Sequence, residues 1–111
     1  MEAKAILKFA RISPRKVEIV CDLIRGKDTK YAMAVMENTP KAACELMTKL
    51  LKSACANAEN NFEMDPDKLY VKEAYVTPGP ILKRMRFVSR AGVHRVNKRT
   101  SHITIVVAEK A

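Results

Sequence analysis

The 111-residue chain is poor in cysteine, glycine and histidine, has no long hydrophobic run, and loses its acidic residues altogether in one stretch. Three cysteines, Cys21, Cys44 and Cys55, form neither an even disulfide set nor a CxxC pair, which excludes a disulfide framework and suits a reducing compartment. With three glycines there is no phosphate-cradling loop. No segment reaches the roughly 20 apolar residues that span a bilayer, and the start MEAKAILKFA lacks the apolar stretch and cleavage site of a signal peptide. These absences predict a soluble cytoplasmic protein, or one whose targeting segment has been removed. The two histidines, His94 and His102, have no carboxylate or cysteine at ligand spacing, so no metal is expected. No nucleophile, base and orienting group stand near one another, so no catalytic residues, no cofactor and no enzyme are predicted.

What is present is positive charge, concentrated in one place. The chain carries a net charge of +9, a balance that favours nucleic acid first and an anionic membrane surface second. Between Ile81 and Thr100 there are seven basic residues (Lys83, Arg84, Arg86, Arg90, Arg95, Lys98 and Arg99) and no Asp or Glu. The other 91 residues, with 14 basic and 12 acidic side chains, hold only two of the nine net charges. The charge therefore belongs to one element.

Around that element the pattern is globular. Lys4 to Ile12 alternates, with Ala5, Leu7 and Phe9 on one side and Lys4 and Lys8 on the other, which predicts a half-buried strand. Ser13-Pro14 is a cap-then-proline helix start, and Gly26 supplies the stop. Between them Val17, Val20, Cys21 and Ile24 make one apolar helix face. A second helix is predicted from about Thr29 to Asn38, with Ala32, Val35 and Met36 inward. Thr39-Pro40 then repeats the start signal for a third. That helix carries a stripe of Ala43, Met47, Leu50, Ala54 and Ala58 and ends near Asn60-Asn61 and Asp65-Pro66. The cysteines and the several methionines read as core filling. Residues 68–76 and 102–109 are rich in β-branched and aromatic types and read as strands. The expected class is α+β: a small antiparallel three-stranded sheet packed against three helices, with a long protruding basic β-hairpin, in a single domain of residues 1–111.

The hairpin is placed at residues 77–101. Two prolines in Thr77 to Pro80 interrupt the regular ladder, the apolar residues beyond show no helical stripe, and Ala91-Gly92 is the best turn candidate. Arms of about ten residues each would reach on the order of 30 to 35 Å. A free two-stranded ribbon is marginal in water, and seven like charges on it repel one another, so a neutralising partner is required. RNA is that partner: Lys and Arg pair with phosphates, and Met85, Phe87 or Val88 lie against bases or sugars. A merely solvated loop explains neither the absence of acid over twenty positions nor the strand-forming flanks. Membrane binding lacks an amphipathic helix to accompany the charge.

ARISPRKVEIVCDLIRGK (Ala10 to Lys27) and GPILKRMRFVSRAGVHRVNKRTSHITIVV (Gly79 to Val107) resemble the two signature regions of the bacterial large-subunit ribosomal protein 22 family, and the likeness covers essentially the whole chain. The resemblance implies a structural component of the large ribosomal subunit that binds 23S ribosomal RNA and assists early assembly. It implies a hairpin lining the nascent-peptide exit tunnel, with other large-subunit proteins and the passing peptide as partners and no homo-oligomer. Carried over by position, Lys83, Arg84, Arg86, Lys98 and Arg99 grip RNA along the arms. Arg90, His94 and Arg95 lie nearer the tip, and Arg11, Ser13, Arg15 and Lys16 serve the globular part. From Phe87 to Val93 the sequence FVSRAGV departs from the family pattern. The alternative from a different class is a free-standing RNA- or DNA-binding accessory protein, which needs the charge but no fixed ribosomal target.

Overall fold

The computed structural model describes residues 2–88 and 92–110. Nine elements follow in order: β1 (Glu2–Ala10), α1 (Pro14–Ile24), α2 (Thr29–Asn38), α3 (Ala42–Phe62), a 3-10 turn (Pro66–Lys68), β2 (Leu69–Pro78), β3 (Leu82–Val88), β4 (Gly92–Lys98) and β5 (Ser101–Glu109). β1, β5 and β2 form an antiparallel sheet in that order, and β3 with β4 forms a separate antiparallel pair. β5 is central, which accounts for its near-continuous β-branched run ITIVV and for burial of both its faces from Ile103 to Ala108.

All three helices cover one face of this sheet. Val17, Val20, Cys21 and Ile24 of α1, Ala32 and Met36 of α2, and Ala43, Met47, Leu51, Ala54 and Ala58 of α3 join a single core with the inward row Ala3, Ala5, Val71, Ala74, Ile103, Ile105 and Val107. The helix stripes are those read from the sequence, with Val35 half-buried rather than fully inward. Alanines on both α3 and β1 let the longest helix lie close to the strand, and Asn57 Nδ2 donates to the Lys4 carbonyl across that contact at 3.2 Å. The β2 edge is capped by residues after α1: Gly26 N–H donates to Val71 O, and Val71 N–H to Lys27 O, at 2.9 and 2.8 Å. Arg25 adds two bonds to the Ala74 carbonyl. An edge occupied in this way is poorly suited to pairing with another chain.

β1 runs Glu2–Ala10 instead of Lys4 to Ile12, and three further features differ from expectation. α3 starts at Ala42, not at Pro40, because the Thr39 hydroxyl donates back to Val35 O at 2.6 Å and so finishes α2 instead of opening α3. β2 runs on through Thr77 and Pro78, paired with His102 and Ser101. On an edge strand the missing proline N–H costs the ladder nothing, and the break falls at 79–81. The third difference is Phe9. The β1–β5 register is regular to Leu7↔Ile103 and resumes at Ala10↔Ser101, and the irregularity between them puts Phe9 at φ 59° and leaves it 60% exposed. Alternation failed there because a bulge resets which face the next residue joins.

Candidate nucleic-acid interface

The basic ribbon leaves the sheet where β2 and β5 stop pairing. Its root is knotted by short polar contacts: Gly79 N–H donates to Thr100 O at 2.9 Å, and the buried Thr100 hydroxyl to Pro80 O at 2.5 Å. The fully buried Ser101 hydroxyl donates to Ile12 O at 2.5 Å, tying the same corner to the segment that precedes α1. Gly79 is required by contact, since a β-carbon there would stand 2.5 Å from Thr100 Oγ1 and 3.3 Å from the His102 ring.

Beyond the root, β3 and β4 pair from Leu82↔Lys98 to Val88↔Gly92, seven residues a side. That is roughly 23 Å of ladder at strand rise. The paired part is shorter than the ten-residue arms expected because residues 79–81 and 99–100 are spent on the root. The molecule is 63 Å long and 26 by 17 Å across. Pleating divides the described β3 side chains into one row of Leu82, Arg84 and Arg86 and another of Lys83, Met85 and Phe87, so each face of the ribbon offers cations beside apolar surface. Met85 is 67% and Phe87 84% exposed. His94 and Arg95 stand opposite Arg86 and Met85 in the ladder. Arg90, and Ala91 of the proposed turn, lie outside the described residues.

Among the described residues every ion pair lies in the globular part: Asp22 with Arg25, Asp67 with Lys30, Glu2 with Lys72 and Asp28 with Lys110. The hydrogen bond and charge of Lys72 hold the Glu2 carboxyl below its ordinary range, and Lys30 does the same to Asp67. Four of the globule's carboxylates are thus engaged with the globule's own lysines and arginine. The ribbon's Lys83, Arg84, Arg86 and Lys98 are exposed, and Arg84 donates to the neighbouring Lys83 carbonyl.

Folding also makes a site that no single sequence segment contains. A cleft of about 410 Å³ opens at the ribbon root, lined by Arg11, Ile12, Ser13 and Lys16 on one wall, Asn97, Lys98 and Arg99 on the other, and Ala42 between them. Four cations and no carboxylate face it. The first residues of α1 and α3 also meet here; both helices carry residues in extended conformation at their N-caps, and neither cap makes a side-chain bond, so backbone N–H groups add to the positive field. Of the residues expected in the globular part, Arg11, Ser13 and Lys16 are brought to the ribbon, whereas Arg15 is exposed outside the cleft. Asn97 and Ala42 were missed by sequence reasoning. Asn97 carries no charge to flag it, and nothing in the sequence foretold that α3 would start against the ribbon.

Burial pushes all three thiols up, Cys21 to about 11. Among the described residues no group of three or more His, Cys, Asp or Glu side chains converges as metal ligands would, and no helix is long and apolar enough to cross a membrane.

A family model described as ribosomal protein L22p/L17e matches residues 5–108. The large ribosomal subunit protein uL22 of Clostridium tetani (strain Massachusetts / E88) is 56% identical over 110 residues, covering 99% of each chain. The protein of the same name from Desulfitobacterium hafniense (strain Y51) is 56% identical over 109 residues, 98% of this chain and 96% of its own. That from Acetivibrio thermocellus is 56% identical over 110 residues, 99% of this chain and 88% of its own.

Proposed function

The chain belongs to the ribosomal protein L22p/L17e family, and from that premise we propose that it builds into the large ribosomal subunit by a two-part grip on ribosomal RNA. It is a structural, non-enzymatic constituent of the cytoplasmic ribosome. The globule presents the cleft residues Arg11, Ser13 and Lys16, with Arg15 beside them. The ribbon presents Lys83, Arg84, Arg86, Lys98 and Arg99 along its arms, and Arg90, His94 and Arg95 toward the tip.

The observation that carries this reading is the segregation of charge. A ribbon rich in uncompensated cations is unfavourable alone, because about 1 kcal/mol of repulsion accrues per close pair even in water. Surrounding phosphates reverse the sign, and release of their counterions drives binding. RNA helices and loops on both sides of the ribbon account for cations in both rows of β3, and exposed Met85 and Phe87 fit against bases or sugars. The reach of the ribbon supports a further step, that it enters the body of the subunit, lines the exit tunnel and meets the nascent peptide near its tip. One copy per particle suffices for this; the capped β2 edge fits a chain that does not pair with itself.

The chain should co-sediment with large subunits and resist washing at moderate salt. Recovery wholly in the ribosome-free fraction would defeat the proposal. Crosslinking followed by sequencing should return 23S ribosomal RNA as the dominant species, and scattered RNAs would favour a free-standing binder instead. A photo-crosslinking residue at Phe87 should capture nascent chains on translating ribosomes, and capture of RNA alone would remove the peptide contact.

A further inference from the structure

Opposite the helices lies a face of the sheet that no helix covers, and on it one residue is held in an unusual conformation. Phe9 sits in the β1 irregularity at φ 59°, a region that bulky L-residues rarely adopt. The consequence is directional: an aromatic ring that alternation would have turned toward the core stands 60% exposed on the helix-free face. The conformation is fastened from β5. Phe9 N–H donates to His102 Nδ1 at 3.1 Å, which leaves the imidazole proton on Nε2, and the two rings meet at 87° with centroids 4.9 Å apart. Tyr75 and Ile6, 44% and 46% exposed, flank β5 on the same face.

A single exposed phenylalanine needs no explanation, but one that a bulge and a histidine hold outward does. Charge identifies the occupant. Lys8 adjoins Phe9 in the chain, and exposed Lys4, paired with Val106, stands on the same face as Ile6, whereas Arg11 two positions on belongs to the cleft. An apolar protein surface has no use for that setting, whereas a nucleobase brings a π-face and a phosphate together. We infer that Phe9, steadied by His102, is a stacking platform for an unpaired base of single-stranded RNA, a contact separate from the ribbon and from the cleft on the helix side of the sheet. It rests on the RNA-binding reading above and adds to it a preference for unpaired nucleotides.

The full chain would be titrated with a fluorescein-labelled twelve-nucleotide oligouridylate and with a fully paired, blunt-ended RNA duplex of the same length. Phe9→Leu should weaken oligouridylate binding about tenfold, as loss of one stacked base does. It should leave duplex affinity and the salt slope unchanged, and Phe9→Tyr should bind within twofold of the parent. In the unsubstituted chain, photo-crosslinks from 4-thiouridine in the oligomer should map to the Phe9 peptide, a readout independent of how the variants fold. Phe9→Leu binding within twofold of the parent, an equal loss on both RNAs, or crosslinks confined to the ribbon would overturn the inference. So would normal RNA binding by Phe9→Leu combined with poor incorporation into subunits, which would mean that the face meets a protein. If the parent chain binds neither RNA, the broader reading fails first.

Discussion

Gly79 shows how narrowly a single position is constrained at the ribbon root. A β-carbon there would run into Thr100 Oγ1, and that hydroxyl is committed to Pro80 O. Gly79→Ala must displace the threonine and leave a buried polar group with a worse partner, a loss of about 1 to 2 kcal/mol. The expected outcome is a melting temperature several degrees lower by circular dichroism. The cysteines make a second prediction at this scale. With Cys21 pushed up to about 11 by burial and Cys44 and Cys55 raised by the same cause, the thiolate is scarce at pH 8. Native protein should react slowly with an aromatic disulfide reagent and release three equivalents promptly in denaturant; fast native labelling would contradict the packing of α1 and α3. The Glu2 carboxyl, lowered by exposed Lys72, contributes at neutral pH and loses that contribution as pH falls below the ordinary carboxylate range. Being exposed, it should matter little, and Glu2→Gln should melt like the parent at pH 7.

Among the elements, the helices were legible because each buries a stripe set by its own 3.6-residue period. Val17, Val20, Cys21 and Ile24 need no knowledge of the rest of the chain to be recognised as one face. The strand ends were not legible, because a ladder is a property of two segments. Pro78 is tolerated only because β2 is an edge, and Phe9 is turned outward only because of how β1 meets β5. The ribbon was found from composition, yet its paired length depended on the root. Among the described residues, none in the main core lies between Thr77 and Thr100. Removing residues 82–98 and closing the gap with a short turn should therefore leave a globule that unfolds cooperatively in urea. A broad, non-cooperative transition would mean that the ribbon supports the core.

For the whole molecule, the governing quantity is the number of phosphates engaged at once. If about seven are contacted, log affinity for ribosomal RNA should fall against log salt with a slope of roughly −5 to −6. Replacing Arg84 and Arg86 together by alanine should make that slope shallower by about 1.5 and weaken binding to unrelated RNAs in proportion, since phosphate contacts carry little sequence information. An unchanged slope would place those arginines away from the backbone.

The sequence by itself determined the segregation of charge, the three helix faces and the family, because each is written in residues that are neighbours along the chain or recur at a fixed period. Only the tertiary structure decided that Arg11 and Lys16 share a cleft with Lys98 and Arg99, and that Phe9 faces away from the core. Those outcomes follow from the β1–β5 ladder, which joins segments more than 90 residues apart, and a register between such distant segments is fixed by packing across the sheet, not by local pattern.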